Sequence, residues 1–262
     1  MTEPIGPETI RDVLRAADGM TVVVAGATSA AGRATVLKLA DAGAKVIAVS
    51  SSEQRLADAF ASDPRVDRYG CDLTDPTAVQ VLARTIHSRH GGTDALIHLV
   101  GGWRGGQGIS AQSDADYEFL HRSIFRTLFN TTRAFQDQLI ASLRGRVVIV
   151  SASVVESPLA ASAAYSAVKA SAETWIQAVA EEFSRTSPTA AAAILVVKSL
   201  VSADERTAAP ERRFPGHTDV GDLAHAVLVL LAGDASAING RRIPVTSPVE
   251  AGAVDPAGPA GQ

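Results

Sequence analysis

The sequence has one cysteine, Cys71, so no disulfide can form within the chain and no cysteine cluster can hold a metal. A lone thiol fits a reducing, cytoplasmic setting. No apolar run approaches the roughly 18 residues of a membrane span. Residues 1–20 carry Glu3, Glu8, Asp12 and Asp18 where a signal peptide would be apolar, so neither a membrane nor an export signal is expected. Basic blocks are missing too, and a net charge of -4 with pI ≈ 5.9 argues against a nucleic-acid partner. The 6 histidines are scattered without metal-ligand spacing, so no metal site is expected. Aromatic residues make up only 5%, and no Pro/Gly/Ser-rich linker divides the interior. With 262 residues, 46% of them hydrophobic, the chain suits one well-buried domain.

What is present is an alternation. Thr9–Ala17 has the spacing of a short amphipathic helix within an N-terminal extension of residues 1–19. The β-branched run Thr21–Val24 then breaks at Gly26 and feeds an Ala/Leu-rich helix at Gly32–Ala42, followed by a strand at Lys45–Val49. Such a unit implies parallel pairing. Further strands are expected at Val66–Tyr69, Ala95–Val100, Arg146–Val150, Ala192–Val197 and near Arg241–Val245. Helices are expected at Glu53–Ala61, Ala78–His87, Tyr117–Leu143, Ala164–Ser184 and Val220–Leu231. Seven strands alternating with helices predict a Rossmann-type, doubly wound α/β fold with helices on both faces. The domain covers residues 1–246, and the Pro/Gly/Ala-rich tail 247–262 is expected to be disordered.

Two segments carry chemistry. The first is the loop Ala25-Gly26-Ala27-Thr28-Ser29-Ala30-Ala31-Gly32, all small residues between a strand and a helix. A dinucleotide pyrophosphate needs backbone N–H groups at a helix N-terminus and a backbone it can approach closely. The second is Tyr165-Ser166-Ala167-Val168-Lys169, whose phenol and ammonium share a helix face. A lysine there would stabilise phenolate and lower the tyrosine pKa, so that Tyr165 exchanges a proton with a carbonyl or alcohol oxygen.

These segments resemble the short-chain dehydrogenase/reductase family over residues 20–246. The family's loop T-G-x-x-x-G-x-G reads A-G-x-x-x-A-x-G here, with Ala30 at the middle glycine, and Ile238-Asn239-Gly240 looks like its closing I-x-G turn. The resemblance implies a nicotinamide cofactor held by Gly26, Ser29, Ala30, Ala31 and Gly32, with Asp72 and Leu73 near the adenine and Gly101 after the fourth strand. Tyr165 would be the acid/base, and Lys169 would also grip ribose. At the end of the second strand, Ser50-Ser51-Ser52 offers hydroxyls and no carboxylate to repel a 2′-phosphate. That favours NADP(H) over NAD(H), with Ser50 and Ser51 as contacts.

The departures are specific. N-N-A-G becomes His98-Leu99-Val100-Gly101, and the helix asparagine of the proton relay aligns with Ile124. Counting back thirteen residues from Tyr165 puts Ala152 where the family has its serine. Ser153, swung in by a local bend, is the expected replacement, with Ser151 or no serine as alternatives. Similar departures, together with Gly101-Gly102-Trp103-Arg104-Gly105-Gly106, resemble the quinoid dihydropteridine reductase branch. There Trp103 would be a stacking surface for a flat heterocycle, and Ser151 a further substrate contact. His98 reads as a packed imidazole, and Val201–Pro215 as a mobile substrate lid. The expected protein is a homodimer or homotetramer that moves hydride to or from a small molecule. The rival reading is a cofactor-binding or sensor protein that has lost turnover.

Overall fold

The computed structural model describes residues 17–61 and 63–247. Nine strands lie among them: β1 Thr21–Ala25, β2 Lys45–Ser50, β3 Val66–Gly70, β4 Ala95–His98, β5 Arg146–Ala152, β6 Ala191–Val197, β7 Leu200–Val201, β8 Thr218–Asp219 and β9 Arg242–Pro244. Seven form one sheet in the order β3-β2-β1-β4-β5-β6-β9, every pair parallel. β7 and β8 pair separately. The helices are α1 Ala30–Asp41, α2 Glu53–Phe60, α3 Pro76–His90, α4 Asp114–Leu120, α5 Thr127–Ala141, α6 Ala163–Thr186, α7 Ala203–Ala208, α8 Val220–Ala232 and α9 Ala235–Ile238. This is the Rossmann-type sheet that the alternation implied.

Period-two alternation assigns each strand residue to a layer. Val22, Val24, Ala48, Ile97 and Val148 pack with Val36 and Leu39 of α1, Phe60 of α2 and Leu228 of α8. Their neighbours Val23, Ile47, Leu96, Val147 and Ile149 pack with Ile86 of α3, Phe135 of α5 and Ile176 of α6. Both faces are covered, which is why these strands read as near-continuous apolar runs. The chain reverses its winding between β1 and β4, and in such sheets the crevice at the strands' carboxyl ends is where ligands bind.

One expectation needs correcting. Tyr117–Leu143 is not one helix: α4 ends at Leu120, and a π-helical turn spans His121–Arg126 before α5. There Ser123 Oγ donates to Phe119 O and Thr127 Oγ1 to Ser123 O, side-chain bonds that compete with the regular backbone pattern. The segment expected as a lid carries regular structure. It holds β7, α7 with a Ser202/Glu205 capping box, and Phe214 under the guanidinium groups of Arg206 and Arg212. The expected helix at Thr9–Ala17 and the tail fall almost wholly outside the described residues. Within them, no helix is long and apolar enough to cross a membrane.

Candidate active site

The carboxyl ends of β1, β4, β5 and β6 open into one cleft of about 760 Å³. Ser29, Ala30 and Ala31 line one side; His98 to Trp103 and Val150 to Ala152 line the floor; Tyr165 and Lys169 line the far wall.

The loop side is fixed by backbone fit. A Cβ on Gly32 would lie 2.2 Å from Gly26 O, and one on Gly26, whose φ is +84°, would lie 2.9 Å from Val100 N. Neither position accepts a side chain. Ser29 caps α1, accepting from Gly32 N–H at 3.0 Å and donating to Gly26 O at 2.9 Å. The first-turn amides of Ala30 and Ala31 have no intrahelical carbonyl to meet, and both residues line the cleft. A small-residue loop, a free helix N-terminus and its dipole suit a pyrophosphate.

The residues expected near ribose and adenine are placed as follows. Ser50 is buried, with its hydroxyl 3.0 Å from Thr28 Oγ1, so it ties β2 to the loop. Ser51 is exposed and accepts from Arg55 Nη2 at 3.3 Å. Arg55 was missed because it lies beyond the strand end. The signal was Ser52, the N-cap of α2, which places Arg55 in the first turn beside Ser51. Asp72 is exposed and accepts from Thr74 N–H and Oγ1–H, bonds that hold its carboxyl below the usual carboxylate range. Leu73 is buried, its carbonyl accepting from Asn130 Nδ2 at 3.0 Å, a structural contact from α5 that the sequence reading did not find. These four expected contacts lie beside the cleft, outside its lining.

On the catalytic wall, Tyr165 and Lys169 stand one turn apart on α6 and both reach the cleft. Lys169 is buried and donates to Val150 O at 2.7 Å, with Nζ 5.9 Å from the Tyr165 ring centroid. Burial lowers its pKa to about 8, opposed by Glu173 one turn on. Glu173 is itself buried and paired to Arg242 of β9 at 2.7 Å. The expected lowering of the tyrosine is not seen: burial raises the Tyr165 phenol above its ordinary value. The ammonium is bonded to the Val150 carbonyl instead of the phenol.

Ser153 also departs from expectation. β5 stays extended through Ala152, and the tight turn begins only at Ser153, which is exposed and absent from the cleft lining. Ala152 and Ser151 line the cleft instead, with Ser151 Oγ buried and lacking a hydrogen-bond partner. His98, expected to be satisfied, also has a buried Nε2 without a partner. Burial, together with the Lys169 charge, lowers its pKa to about 3, so the imidazole is neutral near pH 7. Gly101 lines the cleft as expected, and Trp103 stands on its rim, 63% exposed.

The short chain dehydrogenase family model matches residues 20–202, and the chain belongs to that family of oxidoreductases. It is 26% identical over 187 residues to a short chain dehydrogenase of Pseudocercospora fijiensis, a match covering 70% of this chain and only 60% of that relative. It is 24% identical over 237 residues to a 3-oxoacyl (acyl-carrier-protein) reductase of Vibrio cholerae, covering 87% of this chain and 96% of the relative. An NADPH-bound short chain oxidoreductase of Pseudomonas aeruginosa with an atypical catalytic center superimposes with a TM-score of 0.77 at 22% identity. That superposition covers 87% of this chain and 96% of the other.

Proposed function

We propose that this chain is an NAD(P)H-dependent oxidoreductase that moves hydride to or from a carbonyl or alcohol carbon, or a quinonoid heterocycle, of a small molecule. The observation that carries the reading is that Tyr165 and Lys169 face the cleft that the glycine-loop helix enters. A bound nicotinamide would supply or accept the hydride. Gly26 and Gly32 let the backbone close around the loop, and Ala30 and Ala31 present amides to the pyrophosphate. Tyr165 Oη would hold the proton at the substrate oxygen. A phenol kept protonated by burial is poised to donate, so its charge state favours reduction. Lys169 would hold ribose hydroxyls, and its pKa of about 8 lets its charge respond near physiological pH.

Arg55 beside Ser51 supports NADP(H) over NAD(H), because a guanidinium and a hydroxyl suit a 2′-phosphate. Trp103 on the cleft rim supports a flat, electron-poor substrate that can stack, and Ala152 leaves Ser151 as the β5 serine lining the cleft. The aromatic run Tyr117, His121, Phe125, Phe129 and Trp175 along α4 to α6 supports pairing with a second copy, which light scattering would measure. The deciding experiment is a turnover screen of carbonyls and quinonoid pterins that follows the absorbance of reduced nicotinamide. Cofactor binding without turnover on any of them would favour the sensor reading.

A further inference from the structure

One side chain joins the Trp103 loop to the turn that starts α6. Gln112 Nε2 faces the carbonyl oxygens of Gly108 at 3.2 Å, Ala160 at 3.3 Å and Ala161 at 3.5 Å. Its Oε1 accepts from the Ala164 N–H at 3.3 Å. The partners fix the amide's orientation, since a reversed carboxamide would set oxygen against carbonyls and nitrogen against an N–H. The two backbones also touch: Gly106 N–H donates to Ala161 O at 2.8 Å. A Cβ on Gly105 would lie 2.8 Å from Ala161 O and 2.7 Å from the Trp103 ring. Ser162, the N-cap residue of α6, makes no side-chain cap bond. A first-turn amide of the helix is therefore capped from a distant loop, one residue before Tyr165.

We propose that Gln112 is a positioning residue that clamps the Trp103 loop onto the first turn of α6 and so sets the indole's place relative to the Tyr165 hydroxyl. The proposal rests on Tyr165 being the proton donor. Gln112 acts through both neighbours, since its own polar atoms are used in the clamp. Displacing a catalytic group by about 1 Å can cost on the order of a hundredfold in rate, so partial loosening should show in kcat.

The test uses the full-length protein in a Trp175→Phe background, which leaves Trp103 as the remaining tryptophan of 2. Gln112→Ala should lower the fluorescence anisotropy of Trp103 as the loop gains motion and lower kcat about tenfold, with KM for reduced nicotinamide within about twofold. Gln112→Glu keeps an acceptor for Ala164 but turns an anion toward three carbonyls, so it should move both readouts the same way. Unchanged anisotropy in both variants overturns the clamp. So does a fall in kcat matched by equal loss of cofactor affinity and a broadened melt, the signature of general unfolding. If the wild type turns over nothing, the Tyr165 reading fails by itself, while anisotropy still decides whether Gln112 holds the loop.

Discussion

On the glycine-loop side of the cleft, the hydroxyls of Thr28, Ser29 and Ser50 all have partners inside the loop or strand. On the floor of the cleft, His98 Nε2 and Ser151 Oγ are buried without any among the described residues. The loop is complete in itself, its shape set by backbone contact at Gly26 and Gly32. The floor keeps groups whose burial costs about 1–3 kcal/mol each when unpaired. One side offers a preformed helix N-terminus; the other offers buried polar atoms facing the cleft.

The sharpest way to break this contrast is Tyr165→Phe. Turnover should fall by about 10²–10⁴-fold with nicotinamide affinity nearly unchanged, since a positioned acid supplies that much. Steady-state kinetics beside a binding titration would show it. A variant retaining more than about a tenth of the rate would move the acid elsewhere.

Acidification probes the unpartnered wall. His98 has a folded pKa near 3 against an ordinary 6.5. Between those values the unfolded chain binds a proton that the folded chain does not, so stability rises with pH across the window and is lost on acidification. From pH 6.5 to pH 5 His98 should contribute a loss of about 2 kcal/mol. Urea unfolding of wild type and His98→Asn at both pH values measures it, and equal slopes would show that the imidazole is not the cause.

A smaller effect lies on the loop side. Arg55→Ala should reduce the ratio of NADPH to NADH affinity about tenfold, as expected for loss of one charge-assisted contact. If the ratio holds, or already favours NADH in the wild type, the 2′-phosphate reading of Ser51 and Arg55 is wrong. Smallest of all is Ser153→Ala. An exposed hydroxyl outside the cleft should change kcat less than about twofold, whereas an oxyanion donor would cost about 10²–10³-fold.

The two sides also differed in how legible they were. β1, the glycine loop and α1 were readable because local sequence determines them: a β-branched run, small residues and an Ala/Leu helix. The Tyr165/Lys169 pair was readable for the same reason, its members standing four positions apart on one helix. What escaped depended on contacts between distant segments. The Thr28–Ser50 contact joins two segments distant in the chain, so the strand end alone gave no sign of it. The tyrosine shift was misjudged because Lys169 finds a strand carbonyl. Ser153 lies outside the cleft because β5 keeps its extended geometry through Ala152. The π-helical turn at His121–Arg126 left an unbroken helical pattern in the sequence, so periodicity gave no sign of it.

The strand order also bears on how the molecule comes together. β4 lies between β1 and β5, with Val24 opposite Ile97 and Ile97 opposite Val148. The glycine loop and the catalytic helix become neighbours only after β4 has joined strands far apart in the chain. Closing such loops costs entropy before any contact repays it, and parallel sheets of this kind fold slowly for that reason. α1 and α6 draw on local sequence, whereas the cleft draws on pairings between segments distant in the chain. A chain trapped before β4 docks would show much of its helical signal and have no site at all.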